Sequence, residues 1–268
     1  VALRLALHLV GVGAGDEVLM SPISFVATAN AAAHLGAIPH FVDIERESLG
    51  LSPQVLQNRL EELAERRGST LINRDSGRRI AAILPVHVFG MPAAVEPILA
   101  IARDWDLPVI EDAAEALGSW QGGTHCGLFG SVGTLSFNGN KLITTGGGGA
   151  LLTHDEALAR RARHLSTTAK LPHPWEIRHD AIGWNDRMPN LNAALGVAQL
   201  EVLASRLERK RLLQQSYREA LGDLQCVELL EAPVGSRVNH WLATLRFTAS
   251  DGALASRQRQ ALLEQAGL

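Results

Sequence analysis

The sequence predicts an α/β protein built on a mainly parallel sheet covered by helices on both faces. Short apolar runs alternate with amphipathic stretches of about a dozen residues, the pattern of βαβ units. The runs are apolar throughout rather than alternating, as expected of strands buried on both faces. A length of 268 residues, 46% hydrophobic and 20% charged, suffices for one large domain plus part of a second.

The elements follow in order. Residues 1–12 read as an amphipathic helix with Leu3, Ala6, Leu7 and Val10 on one face, ended by Gly11, Gly13 and Gly15. Residues 17–20 form a short strand, 24–35 a helix and 39–43 a strand. A third helix is expected over 53–66, with Ser52 as its N-cap. The polar stretch 67–79, with Asn73, Asp75, Ser76 and Gly77, reads as a surface loop or hairpin insertion. Strand 80–86, helix 93–105 and strand 107–111 follow. Further strands are expected at 132–137 and 149–153, and a helix at 155–165. Residues 190–221 read as one long helical stretch, and its charged run 206–211 as a solvated face. Strands at 226–230 and 241–248 and a final helix complete the chain. A domain boundary falls near Gly222. It divides a large domain, 1–222, from a partial smaller α+β domain, 223–268.

A net charge of −3 argues against a broad phosphate-neutralising surface, and so against a nucleic-acid partner. No apolar run approaches the ~18 residues of a membrane span, and no leader is visible. Cys126 and Cys226 lack a metal or redox spacing, so a reduced cytoplasmic protein is expected, with no metal. Val1 opens inside a helical pattern and Leu268 closes another. Residues are therefore expected to be missing at one or both ends.

Three stretches carry chemistry. In Val109-Ile110-Glu111-Asp112-Ala113-Ala114, two acids end an apolar strand, at the edge where open α/β sheets bind ligands. A buried acid there needs a cationic partner, such as a protonated pyridine nitrogen. Alone, such an acid also reads as a helix cap. In Ser136-Phe137-Asn138-Gly139-Asn140-Lys141, a lysine is followed by Gly146-Gly147-Gly148-Gly149. A partly desolvated lysine is a nucleophile toward aldehydes, and Ser136 can bond a phosphate. The other reading is a flexible turn with a solvated lysine. It is not a P-loop, because the glycines follow the lysine. Last, Asn185-Asp186-Arg187 precedes the helix opening at Asn190, a place suited to an anion or to simple capping by Asn190.

In this order the motifs resemble the DegT/DnrJ/EryC1/StrS family of sugar aminotransferases. Further matches are Gly15-Asp16-Glu17-Val18, Phe25-Val26-Ala27-Thr28-Ala29-Asn30, Gly36-Ala37-Ile38-Pro39, Phe41-Val42-Asp43, Pro85-Val86-His87-Val88-Phe89-Gly90 and Glu111-Asp112-Ala113-Ala114-Glu115. The resemblance implies a fold-type-I pyridoxal-phosphate enzyme, like aspartate aminotransferase, with a seven-stranded, mainly parallel sheet. It implies that Lys141 carries pyridoxal 5'-phosphate as a Schiff base and that Asp112 pairs with the pyridine nitrogen. It also implies that Phe25 stacks on the ring, Ser136 touches the phosphate, and Asn185 reaches the phosphate of a neighbouring subunit in a homodimer. Arg187 supports that same loop. Glu115 stands where many members have Gln or His near the cofactor's 3-oxygen, and a carboxylate there needs a proton or another donor. The family's phosphate-binding Ser/Asn-Gly-Thr stretch would precede Val1, and the rest of its small domain would follow Leu268.

The implied reaction moves an amino group from L-glutamate to a nucleotide-linked 4-keto-6-deoxy sugar. Asn138-Gly139-Asn140-Lys141, the four glycines and the 73–79 insertion are most similar to members acting on UDP-linked N-acetylhexosamines, of the legionaminic acid and bacillosamine type. The alternatives are a GDP- or dTDP-linked sugar, or a cofactor-binding protein that regulates without turnover. Lys141 argues against the related dehydratases, in which histidine replaces it. His87 reads as a satisfied structural histidine. Trp184 and Met188 read as packing or as the dimer-contributed edge, and no role falls to His240 or Trp241.

Overall fold

The structure is a computed structural model, and it describes residues 1–224, 227–247 and 252–265. The elements in chain order are α1 (Ala2–Leu9), β1 (Glu17–Met20), α2 (Val26–Ala33), β2 (Ile38–Phe41), α3 (Pro53–Leu63), β3 (Ala64–Arg67), β4 (Thr70–Asn73) and β5 (Ile80–Leu84). A 3-10 turn, Val88–Gly90, precedes α4 (Val95–Asp104), β6 (Ile110–Asp112), β7 (Trp120–Gln121), β8 (Thr124–His125), β9 (Val132–Ser136), β10 (Gly149–Leu152) and α5 (Glu156–Ser166). Then come α6 (Asn190–Glu201), α7 (Leu203–Leu221), β11 (Val227–Leu229), β12 (Ser236–Arg237), β13 (Leu245–Phe247) and α8 (Gly252–Gln265). Cys226 and Thr248, expected at strand ends, and Leu268 lie outside the described residues.

Two three-stranded ladders, β2-β1-β5 and β10-β9-β6, make the central layer. Parallel bridges from Ile83 to Val109 and from Val86 to Asp112 join them. The order is therefore β2-β1-β5-β6-β9-β10, parallel except for β10, which runs antiparallel to β9. These six strands are the six apolar runs of residues 1–222. The seventh strand implied by the family resemblance has no counterpart among the described residues.

Alternation along the strands splits the core in two. Leu19 and Ile83 face Leu56, Leu60 and Ile98 of α3 and α4 on one side. Val18, Met20, Ala82 and Leu84 face Leu7 of α1 and Ala31 and Ala32 of α2 on the other. No helix among the described residues is long and apolar enough to cross a membrane.

Several boundaries differ from expectation for local reasons. Ser52 caps α3 as predicted, its Oγ accepting from Val55 N–H at 3.3 Å. The helix stops at Leu63, because Ala64 turns extended (φ −82, ψ 134) and enters the β3–β4 hairpin. The turn places Gly68 at φ 62, a conformation that costs glycine little. The insertion is anchored on the sheet, since Asn73 Nδ2 and Ser76 Oγ both donate to the buried Glu17 carboxylate, at 2.8 and 2.5 Å. The expected 190–221 helix is two helices. Val202 leaves helical geometry (φ −103, ψ 6), and its carbonyl accepts from Ser205 Oγ and Arg206 N–H to start α7. The run 206–211 is only partly solvated. Arg206 donates to the Leu142 carbonyl at 3.1 Å and Lys210 to the Trp241 carbonyl at 2.8 Å.

Beyond Gly222 the chain forms the β11–β13 ladder and also returns to a small sheet outside the central layer. β12 pairs antiparallel with β7 of the β7–β8 hairpin, a hairpin the sequence did not suggest.

Glu111 ties the middle of the sheet to the loop that follows it. The carboxylate is fully buried and accepts from the Gly127, Phe129 and Gly130 N–H groups, each at 2.7 Å, and from His87 Nε2 at 2.9 Å. Ala93 N–H donates to His87 Nδ1, which leaves Nε2 as the donor toward Glu111. His87 is thus the satisfied structural histidine expected. Glu111→Ala would orphan four donors. It is expected to cost ~3 kcal/mol, a fall of about 6–12 °C in Tm by thermal melt.

Candidate active site

The carboxyl ends of β1, β6 and β9 lead into Phe25, into Asp112 with Glu115, and into Ser136 with Lys141, at one sheet edge, where open α/β sheets bind ligands. Asp112 ends β6 and is 4% exposed. No helix follows it, so it is not a cap. Its Oδ1 accepts from Ala114 N–H at 3.1 Å and its Oδ2 from Thr28 Oγ1 at 2.7 Å. Burial raises its carboxyl above the usual range, against the pull of Thr28, Ala114, His87 and Lys141. Among the described residues Asp112 makes no ion pair. A carboxylate so placed suits a cation brought by a ligand.

Thr28 lies in the first turn of α2, which opens at Phe25. The Phe25 carbonyl accepts from Thr28 N–H at 3.0 Å, so this one turn carries both the aromatic ring and the hydroxyl that holds Asp112. Phe25 is 64% exposed among the described residues. Sequence reasoning picked out Phe25 and missed Thr28. The spacing of three on a helix start was the available signal.

Lys141 follows the end of β9 in a tight loop closed by Lys141 N–H to Asn138 O. It is no solvated lysine: its side chain is 11% exposed, and Nζ sits 3.5 Å from Glu115 Oε1. Glu115 Oε2 accepts from Phe89 N–H at 2.8 Å. Burial raises the Glu115 carboxyl, with Phe89 N–H and Lys141 opposing. The Glu115 carboxyl is thus held between the Phe89 N–H and Lys141 Nζ. Trp241, given no role from sequence, lies beside the same lysine, with Nζ 4.2 Å from its ring centroid.

Ser136 ends β9 half-buried, its Oγ accepting from Asn138 N–H at 3.3 Å. Thr145, at the head of the glycine run, receives Asn192 of α6 on its carbonyl at 2.6 Å. Met188 lies against Gly148 (φ 124), where a Cβ would meet its side chain. Asn185 is exposed, bridged antiparallel to Thr167, and among the described residues bonds none of the groups around Lys141. Its neighbour Asp186 pairs with Arg4 at 2.6 Å, and Arg4 lies over the Trp184 ring. Asn190, considered as a cap, is instead the first residue of α6; Pro189 holds the N-cap position and makes no side-chain cap bond.

A sequence model of the DegT/DnrJ/EryC1/StrS aminotransferase family matches residues 1–267. The chain belongs to this family. A provisionally named pyridoxal phosphate-dependent aminotransferase of Bacillus subtilis, EpsN, is 40% identical over 91% of the chain. The GDP-perosamine synthase of Escherichia coli O157:H7 is 37% identical over 84%. The chain spans 60% of the first relative's length and 57% of the second's. A family aminotransferase structure from Brucella abortus superposes with a TM-score of 0.82 at 31% identity, covering 97% of this chain and 66% of that one. TlmJ of Streptoalloteichus hindustanus gives a TM-score of 0.84 at 30% identity, covering 99% and 67%. The fold is thus fold-type I, and pyridoxal phosphate is the cofactor of this family's aminotransferases.

Proposed function

We propose that the protein moves an amino group from L-glutamate to a nucleotide-linked keto sugar, with Lys141 as the reacting amine. The observation that carries this is Asp112: a buried carboxylate without a cationic partner among the described residues, held from the Phe25 turn, at the same edge as a buried lysine.

Bound pyridoxal phosphate supplies an aldehyde carbon and a protonated ring that accepts electrons. Asp112 would hold the proton on the ring nitrogen, aided by Thr28. Phe25 would cover one ring face, Ser136 would bond the phosphate, and Glu115 would face the 3-oxygen. Lys141 Nζ would bond the aldehyde carbon and, when freed, carry the proton at the substrate's reacting carbon.

Asn185 would act from a second subunit. Its surroundings support this: Trp175, Ile177, Ile182 and Leu191 are 76–86% exposed in the stretch on either side of it. Apolar exposure on that scale suits a homodimer face. A cytoplasmic site of action and a division near Gly222 between large and small domains belong to the same reading.

Asn138-Gly139-Asn140-Lys141 with the glycine run, and the 73–79 insertion, support a UDP-linked 4-keto-6-deoxy-N-acetylhexosamine. The likeness to a GDP-perosamine synthase favours a GDP-linked sugar as the second reading. Purified full-length protein should be yellow, bleach with glutamate and recover its colour with the keto sugar. A protein that stays colourless with added pyridoxal phosphate overturns the aminotransferase reading. Much faster amination of a GDP- or dTDP-linked sugar overturns only the UDP choice.

A further inference from the structure

Trp241 comes from the segment beyond Gly222, yet every polar group of its backbone and ring is hydrogen-bonded, the indole to the loop that carries Lys141. Its indole Nε1–H donates at 3.0 Å to the carbonyl of Asn140, the residue before the lysine. Its N–H donates to Asn239 Oδ1 at 2.9 Å, and its carbonyl accepts from Lys210 Nζ at 2.8 Å. Asn239, 1% exposed, donates through Nδ2 to the carbonyls of Glu115 and Leu117 at 2.7 and 2.9 Å, and through its N–H to Ser119 Oγ. One buried asparagine therefore registers both partners of the Lys141 ammonium, the Trp241 ring and the Glu115 residue.

The backbone around it is adjusted to fit. Gly90 (φ 90) leaves no room for a Cβ against Asn239 Oδ1, and His240 is held at φ 48, where non-glycine residues are rare. Simple core filling does not require an indole N–H aimed at the lysine's own loop. Nor does it require a π face 4.2 Å from a charged Nζ whose other neighbour is a carboxylate at 3.5 Å.

We infer that Trp241 is a positioning residue of the active site: its ring face holds the free Lys141 ammonium against Glu115, and so sets where that amine waits when it is not bonded to the cofactor. The inference rests on the reading of Lys141 as the cofactor lysine. It extends the site to a residue some hundred positions later in the chain.

The chain has three lysines, Lys141, Lys170 and Lys210, and Lys170 is exposed, which makes a mass-mapped comparison simple. Full-length protein stripped of cofactor is pulsed with an N-hydroxysuccinimide acetate, and acetylation at Lys141 is compared with that at Lys170. Trp241→Leu should raise the ratio about fivefold or more, whereas Trp241→Phe, which keeps a π face, should stay within twofold of wild type. Trp241→Met serves in place of the leucine variant if that one fails to melt cooperatively. An unchanged ratio in a folded leucine or methionine variant overturns the inference, as does loss of protection in the phenylalanine variant. Borohydride-reduced holoprotein, mapped in parallel, separates the two readings. Cofactor mass absent from Lys141 defeats the functional reading, whereas cofactor on Lys141 with an unchanged acetylation ratio defeats only the role of Trp241.

Discussion

Full-length protein carrying Lys141→Arg is expected to lose transamination by about 10²–10⁴-fold, to show no cofactor mass at position 141 after borohydride, and to keep its melting temperature. The charge is retained, so the Glu115 ion pair can persist, while guanidinium is neither a nucleophile nor a proton carrier at neutral pH. The structure explains why one residue should matter so much. The site places no other lysine near Asp112: Lys210 is committed to the Trp241 carbonyl, and Lys170 lies on an exposed segment. Single-turnover kinetics and intact-mass measurement check the result. Turnover within tenfold of wild type would remove Lys141 from the mechanism.

Asp112→Asn should separate stability from activity. In the cofactor-free protein the carboxyl is raised by burial, so the folded state binds a proton more tightly than the unfolded chain does. As pH rises above ~4, the unfolded chain releases its proton more readily, and native Asp112 costs stability. The asparagine variant escapes this cost. Its cofactor-free form should therefore melt higher than wild type at pH 7, with the difference shrinking as pH falls toward ~4. Thr28 Oγ1 can still donate to the amide oxygen, so the local geometry has a means of surviving. Turnover should fall by about 10²-fold or more, because a neutral amide cannot hold a proton on the ring nitrogen. Melting curves across pH, with and without added pyridoxal phosphate, check both halves. A variant less stable than wild type at pH 7 and equally active would refute the assigned role.

The sheet was legible because its strands are uninterrupted apolar runs, and period-2 burial on two faces leaves that signature in any window. The positions of Asp112 and Lys141 were legible for a related reason: Asp112 closes an apolar run before small residues, and Lys141 sits among the polar residues after the next run, ahead of four glycines. Thr28 was hidden, since its hydroxyl meets Asp112 across 84 positions and its own neighbourhood is a plain alanine-rich helix. Trp241 and Asn239 were hidden more deeply. Their partners lie 101 to 124 positions earlier, and the β7–β12 pairing that delivers them involves strands of two residues, too short for any periodicity. The break at Val202 had no punctuating residue to announce it.

The return of residues 236–241 onto the lysine loop also has a temporal meaning. A nascent chain exposes Lys141 about a hundred residues before Trp241 and Asn239 are made, an interval of about 5–20 s at ordinary translation rates. Throughout that interval the parallel layer can already assemble, while the amine has no roof and Asn239 has not yet joined Glu115 to Ser119. The surroundings of Lys141 are thus among the last parts of this region to be finished. A chain stalled between Leu221 and Ser236 would carry a formed sheet with an uncovered reactive lysine.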